Sequence, residues 1–143
     1  MRHYAFILLL LLCSPVSAQF SIGTLLGSNH PGDDGFECFG VARDYNETQM
    51  GVFVQYRGWL VGRYENSYSG CDGLEYSNLI GYESTIGRLG SVEFSATAAL
   101  VDGYPVDPEF GEYRAWATIN ARWKIFKVYY GYKVVGYGLE WRW

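Results

Sequence analysis

A serine hydroxyl becomes a nucleophile, or is oriented to donate, only when a base takes or holds its proton. Beyond residue 18 this chain has one histidine, His30, in a polar stretch spanning 27–49. Ser67 stands in the run Tyr64-Glu65-Asn66-Ser67-Tyr68, at the outer end of a segment with strand character. If the connections holding these residues lie on one side of a sheet, His30 is the base available to Ser67. Asn66 and Ser67 equally suit a turn cap, since short polar side chains bond the backbone of turns. Cys38 and Cys71 form a second pair, 33 positions apart. In an exported chain they can oxidise, and such a bridge stabilises by about 3–4 kcal/mol in the chain-entropy account. Asp33, Asp34, Glu37 and Asp44 make the 27–49 stretch acidic, which suits a solvated loop or a divalent cation. Asn46-Glu47-Thr48 fits a glycosylation acceptor, a pattern that chance also supplies. The chain has no phosphate loop, nucleotide signature or metal-ligand spacing, so no cofactor and no metal are expected.

The elements that must position these residues read as strands. Residues 1–18 combine Arg2, an apolar run from Ala5 to Cys13, Pro15 and the small-residue site Val16-Ser17-Ala18, the pattern of a secretory signal peptide. That run is shorter than the ~20 residues a membrane-spanning helix needs. Removing 18 of 143 residues leaves 125, one domain over 19–143. This part carries 10 Lys+Arg against 15 Asp+Glu, a net charge of −5, so no nucleic-acid footprint is present. An aromatic content of 18%, with 13 Tyr and 18 Gly, suits strands and tight turns rather than helices.

Hydrophobic alternation divides 19–143 into eight strands: 20–26, 50–57, 59–68, 74–82, 91–100, 113–123, 125–132 and 134–143. Residues 83–90 read as a connection, and 39–42 as a short strand extension within the first loop. The alternation is cleanest in 91–100, 113–123 and 134–143, where Phe94, Ile119 and Trp141 fall on apolar faces. The opposite faces collect Arg63, Glu65, Glu93, Arg114, Arg122, Lys127, Glu140 and Arg142. In 59–68, continuing the alternation from Ser67 turns Arg63 and Glu65 inward and Leu60, Gly62 and Tyr64 outward. An even number of strands, aromatic ends and no helix to cover the apolar faces predict an all-β, eight-stranded antiparallel up-and-down transmembrane β-barrel. The odd-numbered connections then face the exterior and place both cysteines in adjacent loops. A terminal aromatic preceded by alternating apolar residues resembles the sorting signal on the last strand of bacterial outer-membrane barrels. This implies the bacterial outer membrane as location and its assembly machinery as a partner, with the barrel as a monomer.

Residues 62–82, GRYENSYSGCDGLEYSNLIGY, resemble the segment of the lipid A palmitoyltransferase family that carries an Asp-Ser pair between aromatics. The likeness continues loosely through 92–100 and the terminal strand. It implies an acyltransferase that moves an acyl chain from a phospholipid to lipopolysaccharide, with His30, Asn66 and Ser67 at the catalytic positions. Two departures stand out. Asn66 replaces the family's Asp, so Glu65 or Glu47 would have to supply the carboxylate. The family's amphipathic helix before the barrel has no counterpart, since Gln19 leads directly into the first strand. Two other classes fit the same pattern: a non-enzymatic surface barrel, host-interacting or phage-encoded, and a soluble periplasmic barrel holding an apolar ligand.

Overall fold

The computed structural model describes residues 20–32, 35–38, 40–67, 75–103 and 113–143. The proposed signal peptide, Cys71 and the acidic pair Asp33-Asp34 lie outside these residues. Eleven strands follow in chain order: β1 (Phe20–Leu25), β2 (Gly27–Asn29), β3 (Phe36–Cys38), β4 (Val41–Arg43), β5 (Gly51–Tyr56), β6 (Trp59–Glu65), β7 (Tyr76–Leu89), β8 (Val92–Val101), β9 (Arg114–Trp123), β10 (Phe126–Gly131) and β11 (Val134–Arg142). Nine of them form one antiparallel sheet in the order β1-β5-β6-β7-β8-β9-β10-β11-β2. The sheet closes on itself: β11 pairs with β1 through Ile22↔Trp141 and with β2 through Ser28↔Gly136. β1 and β2 are one stave interrupted at Leu26, so the barrel has eight staves. β3 and β4 form a separate hairpin in the first long connection.

One end of the barrel has only tight turns, and the other has the long connections together with the tight turn Tyr132-Lys133. Turns follow β5, β7 and β9, at Arg57-Gly58, Gly90-Ser91 and Lys124-Ile125, and Trp143 N donates to Phe20 O at the same end. Arg57 and Gly58 both have positive φ (48° and 87°), the conformation that matches the twist of paired strands. The connections after β2, β6 and β8 lie at the opposite end, and we call the two the turn end and the loop end.

The alternating faces sort as expected in most staves. Val52, Val54, Ile80, Leu100, Ile119 and Val128 are exposed on the outside, while Ser95, Thr97, Thr118, Asn120, Lys127 and Glu140 are buried in the lumen. Phe94 and Trp141 share the outer face with Ile119 and do not enter the interior. Exposed aromatics gather at both rims of this outer surface. Tyr56, Trp59, Trp123, Phe126, Trp141 and Trp143 stand at the turn end, and Tyr76, Tyr113, Tyr130 and Tyr132 at the loop end.

Two expectations need correction. The first concerns β6, where Leu60 and Tyr64 are buried (7% and 5% exposed) and Trp59 and Val61 are exposed (57% and 51%). Leu60, Gly62 and Tyr64 therefore face inward, and Arg63 faces outward. The ladder to β5 sets this phase: Val61 pairs with Val54 and Gly62 with Phe53, and paired residues share a face. A Cβ on Gly62 would sit 2.2 Å from the Phe53 ring, so the ring occupies the space above that glycine. Arg63 lies over the Tyr76 ring at 4.8 Å, and Glu65 accepts from Met50 N at 3.1 Å. The second concerns 83–90, where all but the turn residue Gly90 is strand and not connection. β7 runs for 14 residues and pairs with β8 up to Leu89↔Val92, with a bulge between Thr85 and Gly87. Glu83 is a lumenal residue whose charge is matched inside the barrel. Two smaller differences are in the first stave and loop, where the barrel keeps residues 27–29 and the short strand extension is the β3–β4 hairpin.

Candidate functional site

The lumen has two halves of different chemistry. Toward the turn end it is filled by Glu83, Glu93 and Glu140 against Lys127, Arg122 and Arg142. Lys127 Nζ donates to both oxygens of Glu83 (2.8 and 2.7 Å) and to Glu140 Oε2 (2.5 Å). Arg142 donates to Glu140 and Glu93, and Arg88 closes the rim with two bonds to Glu93 Oε2 (3.0 and 2.6 Å). Ser95 donates to Glu83 at 2.6 Å, and Asn120 donates to Thr97 at 2.9 Å, so neutral side chains extend the cluster upward. Three carboxylates face the buried Lys127 and the part-buried Arg122 and Arg142 here, and such pairing is the condition under which buried charge is tolerated.

Above this cluster lies a cavity of about 420 Å³, within the range of small-ligand sites. Leu25, Phe53, Leu60, Tyr64, Trp116 and Tyr129 form its walls, and Glu83, Lys127 and Glu140 its floor. The Phe53 ring lies 6.2 Å from Tyr64 and 6.1 Å from Tyr129, and Tyr64 lies 6.4 Å from Trp116, so aromatic edges and faces continue around the wall. An eight-stranded barrel has room for little beyond its side chains or one small ligand. The glycines and small residues of the staves leave that room here.

At the loop end His30, Tyr45, Gln49 and Ser67 line the same cavity. His30 continues the inward phase of Ser28 two residues beyond it. Its ring stacks on Tyr45 at 4.1 Å and 14°, and Tyr45 packs on Phe36 at 5.4 Å, which fixes the β3–β4 hairpin over the imidazole. His30 N donates to Glu47 Oε1 at 3.2 Å, and Nδ1 stands 4.0 Å from that same oxygen. Ser28 N donates to Glu47 O at 2.9 Å, and Asn46 N donates to Ser67 O at 2.9 Å. The Asn46-Glu47 segment thus ties the stave carrying His30 to the turn carrying Ser67.

Of the three residues expected at the site, His30 and Ser67 share this cavity. Asn66 is fully buried and is engaged elsewhere: its Nδ2 donates to Ser77 Oγ at 2.9 Å and to Gly103 O at 2.6 Å. Asn66 continues the inward phase of Leu60, Gly62 and Tyr64, and Ser67 reaches the lumen because the chain leaves that alternation after it, the two being buried in succession. Of the two carboxylates expected as alternatives, Glu47 is beside His30, and Glu65 is bonded to Met50 N. Tyr45, Gln49 and Ser28 are cavity residues that sequence reading passed over. The two-residue spacing of Ser28 and His30 was the available signal for the last of them. Asn46 Oδ1 accepts from Thr48 N and Oγ1, at 3.1 and 2.9 Å, in a local turn. Cys38 ends β3, and its proposed partner Cys71 lies outside the described residues. Among the described residues no three His, Cys, Asp or Glu side chains form a metal-binding group.

No protein-family model, curated protein or solved structure matches this chain, so the likeness to the lipid A palmitoyltransferases rests on the motif alone. On its own geometry the chain is a closed eight-stranded antiparallel β-barrel, with an ion-paired half-lumen beneath an apolar cavity.

Proposed function

We propose that this chain is a small outer-membrane barrel that takes one lipid acyl chain into its lumen and transfers it from a phospholipid to lipopolysaccharide. The observation that carries this reading is that His30 and Ser67 line the loop end of an apolar cavity, with Glu47 beside His30. The outer surface supports the membrane part, since its apolar band is flanked by aromatics at both ends. The cavity walls support the chain-holding part, because each methylene taken from water contributes about 0.8 kcal/mol.

In this reading the acyl chain lies between Phe53, Leu60 and Tyr129, and its ester carbonyl stays at the rim. His30 takes the proton of the attacking hydroxyl, which adds to the carbonyl carbon. Collapse of the tetrahedral adduct expels the lysophospholipid oxygen, and the imidazolium returns its proton to that oxygen. Glu47 offsets the charge of the imidazolium, the role an Asp has in other Ser-His pairs. Ser67 orients the acceptor hydroxyl toward His30. The remaining parts of the proposal are a Cys38–Cys71 disulfide tying the first two long loops, assembly through the terminal strand, and a monomer in the membrane.

Purified protein refolded in vesicles containing phospholipid and lipopolysaccharide tests this. Acyl transfer should appear with the native chain and vanish in His30→Ala and Ser67→Ala. Lipid profiles identical to a protein-free control exclude the enzyme. Asn66 favours a second reading, a non-enzymatic surface barrel, because its amide is held by Ser77 and Gly103 and provides no carboxylate. Partner capture that survives His30→Ala would support that alternative.

A further inference from the structure

The cavity rim has a hydroxyl that the acyl-transfer scheme leaves unused. Ser28 lies on β2 and lines the cavity, and its residue is only 4% exposed. Its Oγ is buried and has no hydrogen-bond partner among the described residues. Folding leaves such a donor unmade only at a cost, so a buried orphan hydroxyl in a cavity wall points to a ligand atom. Its surroundings define that atom. The backbone of Ser28 is held on both sides, by the Ser28↔Gly136 pairing to β11 and by the bond from its N to Glu47 O. That pairing fixes the direction of the Cα–Cβ bond and keeps the side chain on the lumenal face of the stave. Two residues along the same face stands His30, whose carboxylate partner is Glu47, the residue that also anchors Ser28. A cavity with apolar walls, ending beside an imidazole and neutral polar side chains of which the Ser28 hydroxyl is the unbonded one, fits an apolar chain with an acceptor oxygen at its head.

We propose that the Ser28 hydroxyl donates to the carbonyl oxygen of an acyl group whose chain lies in the lumen. This makes Ser28 a binding residue for the carbonyl, and a donor to the oxygen that gains charge when that carbonyl is attacked. The inference rests on the chain-holding part of the proposed function but not on turnover. Two sources share this chemistry, a phospholipid ester and a free fatty acid.

The test uses the full chain refolded in vesicles of ether-linked phosphatidylcholine, so that the added probe alone has a carbonyl. The probes are carbonyl-13C dodecanoate, a carbonyl-13C dodecanoyl lysophosphatidylcholine and the dodecyl ether analogue of the latter. We expect the native chain to bind at least one carbonyl probe about tenfold more tightly than the ether, with a shifted carbonyl resonance. Ser28→Ala should bind that probe as weakly as the ether and lose the shift, and Ser28→Thr should recover both. Preference for the ester identifies a phospholipid, and preference confined to dodecanoate identifies a free acid. Retention of the tenfold preference and the shift in Ser28→Ala overturns the proposal while leaving the chain-holding cavity intact. Failure of all three probes to bind the native chain overturns both. Gel mobility before and after boiling monitors folding. Should Ser28→Ala not fold, Ser28→Cys, close in volume and a weak donor, takes its place with the same two outcomes.

Discussion

Lys127→Met is the sharpest test of how the lumen is built. The ammonium is 3% exposed and makes three bonds, two to Glu83 and one to Glu140, at 2.5–2.8 Å. Methionine keeps the length and most of the volume of the stem, so the change removes charge and little packing. Glu83 and Glu140 are 4% and 3% exposed, and after the substitution the buried cluster has three carboxylates against Arg122 and Arg142. Breaking a buried pair by removing one partner costs about 3–5 kcal/mol. Replacing both partners is often nearly neutral, so Lys127→Met with Glu83→Gln should regain most of that loss. Lys124→Met is the control: its ammonium lies 4.8 Å over the Trp123 ring at the turn end, where a cation–π contact contributes about 0.5–1 kcal/mol. Urea unfolding of vesicle-refolded protein, followed by tryptophan emission and gel mobility, measures these three variants together with Glu83→Gln alone and the native chain. A loss below about 1 kcal/mol for Lys127→Met, or a double variant as unstable as the sum of the singles, would refute the ion-paired half-lumen.

Other perturbations probe the wall, the outer surface and the rim. Gly62→Val should cost about 1–3 kcal/mol, because its side chain would enter the Phe53 ring, and Phe53→Leu should relieve it. A neutral result would return Gly62 to the outer face. Ile119→Arg should destabilise the membrane-inserted barrel by about 2–4 kcal/mol, the cost of a cation near the middle of a lipid-facing strand; equal folding yield in vesicles would argue for a water-facing strand. Glu47→Gln should lower acyl transfer by tenfold or more and leave gel mobility unchanged, since it removes the charge opposite His30 and retains the acceptor for His30 N. Full activity in Glu47→Gln would remove the carboxylate from the scheme.

The staves with strict alternation were legible because polarity and geometry agree in them. In β8, β9 and β11 most lumenal residues are polar, small or charged, while Val101 and Trp116 line the cavity. β6 misled for a physical reason: its lumenal face lines the apolar cavity, so Leu60 and Tyr64 are as hydrophobic as the Val61 beside them. Hydropathy cannot choose between two apolar faces, and the choice comes from the Phe53↔Gly62 register with β5, a long-range fact. Glu83 misled because a carboxylate suggests a loop until Lys127, 44 positions away, is known to meet it. That His30 and Ser67 lie at the same end of the barrel was legible from loop order. Selecting Glu47 over Glu65 needed the geometry, and Ser28 emerged only from an accounting of buried hydrogen-bond donors.

The central claim is that the apolar sides of the eight staves face hydrocarbon while the charged sides meet in the lumen. Of the five tryptophans, Trp59, Trp123, Trp141 and Trp143 are exposed on the outer surface or its rim, and Trp116 lines the cavity. Refolding in vesicles whose acyl chains carry bromine measures this directly, because bromine quenches indoles that touch the chains. The account predicts that most of the emission is lost and that much of the remainder disappears in Trp116→Phe. Emission unchanged between brominated and ordinary vesicles would contradict it.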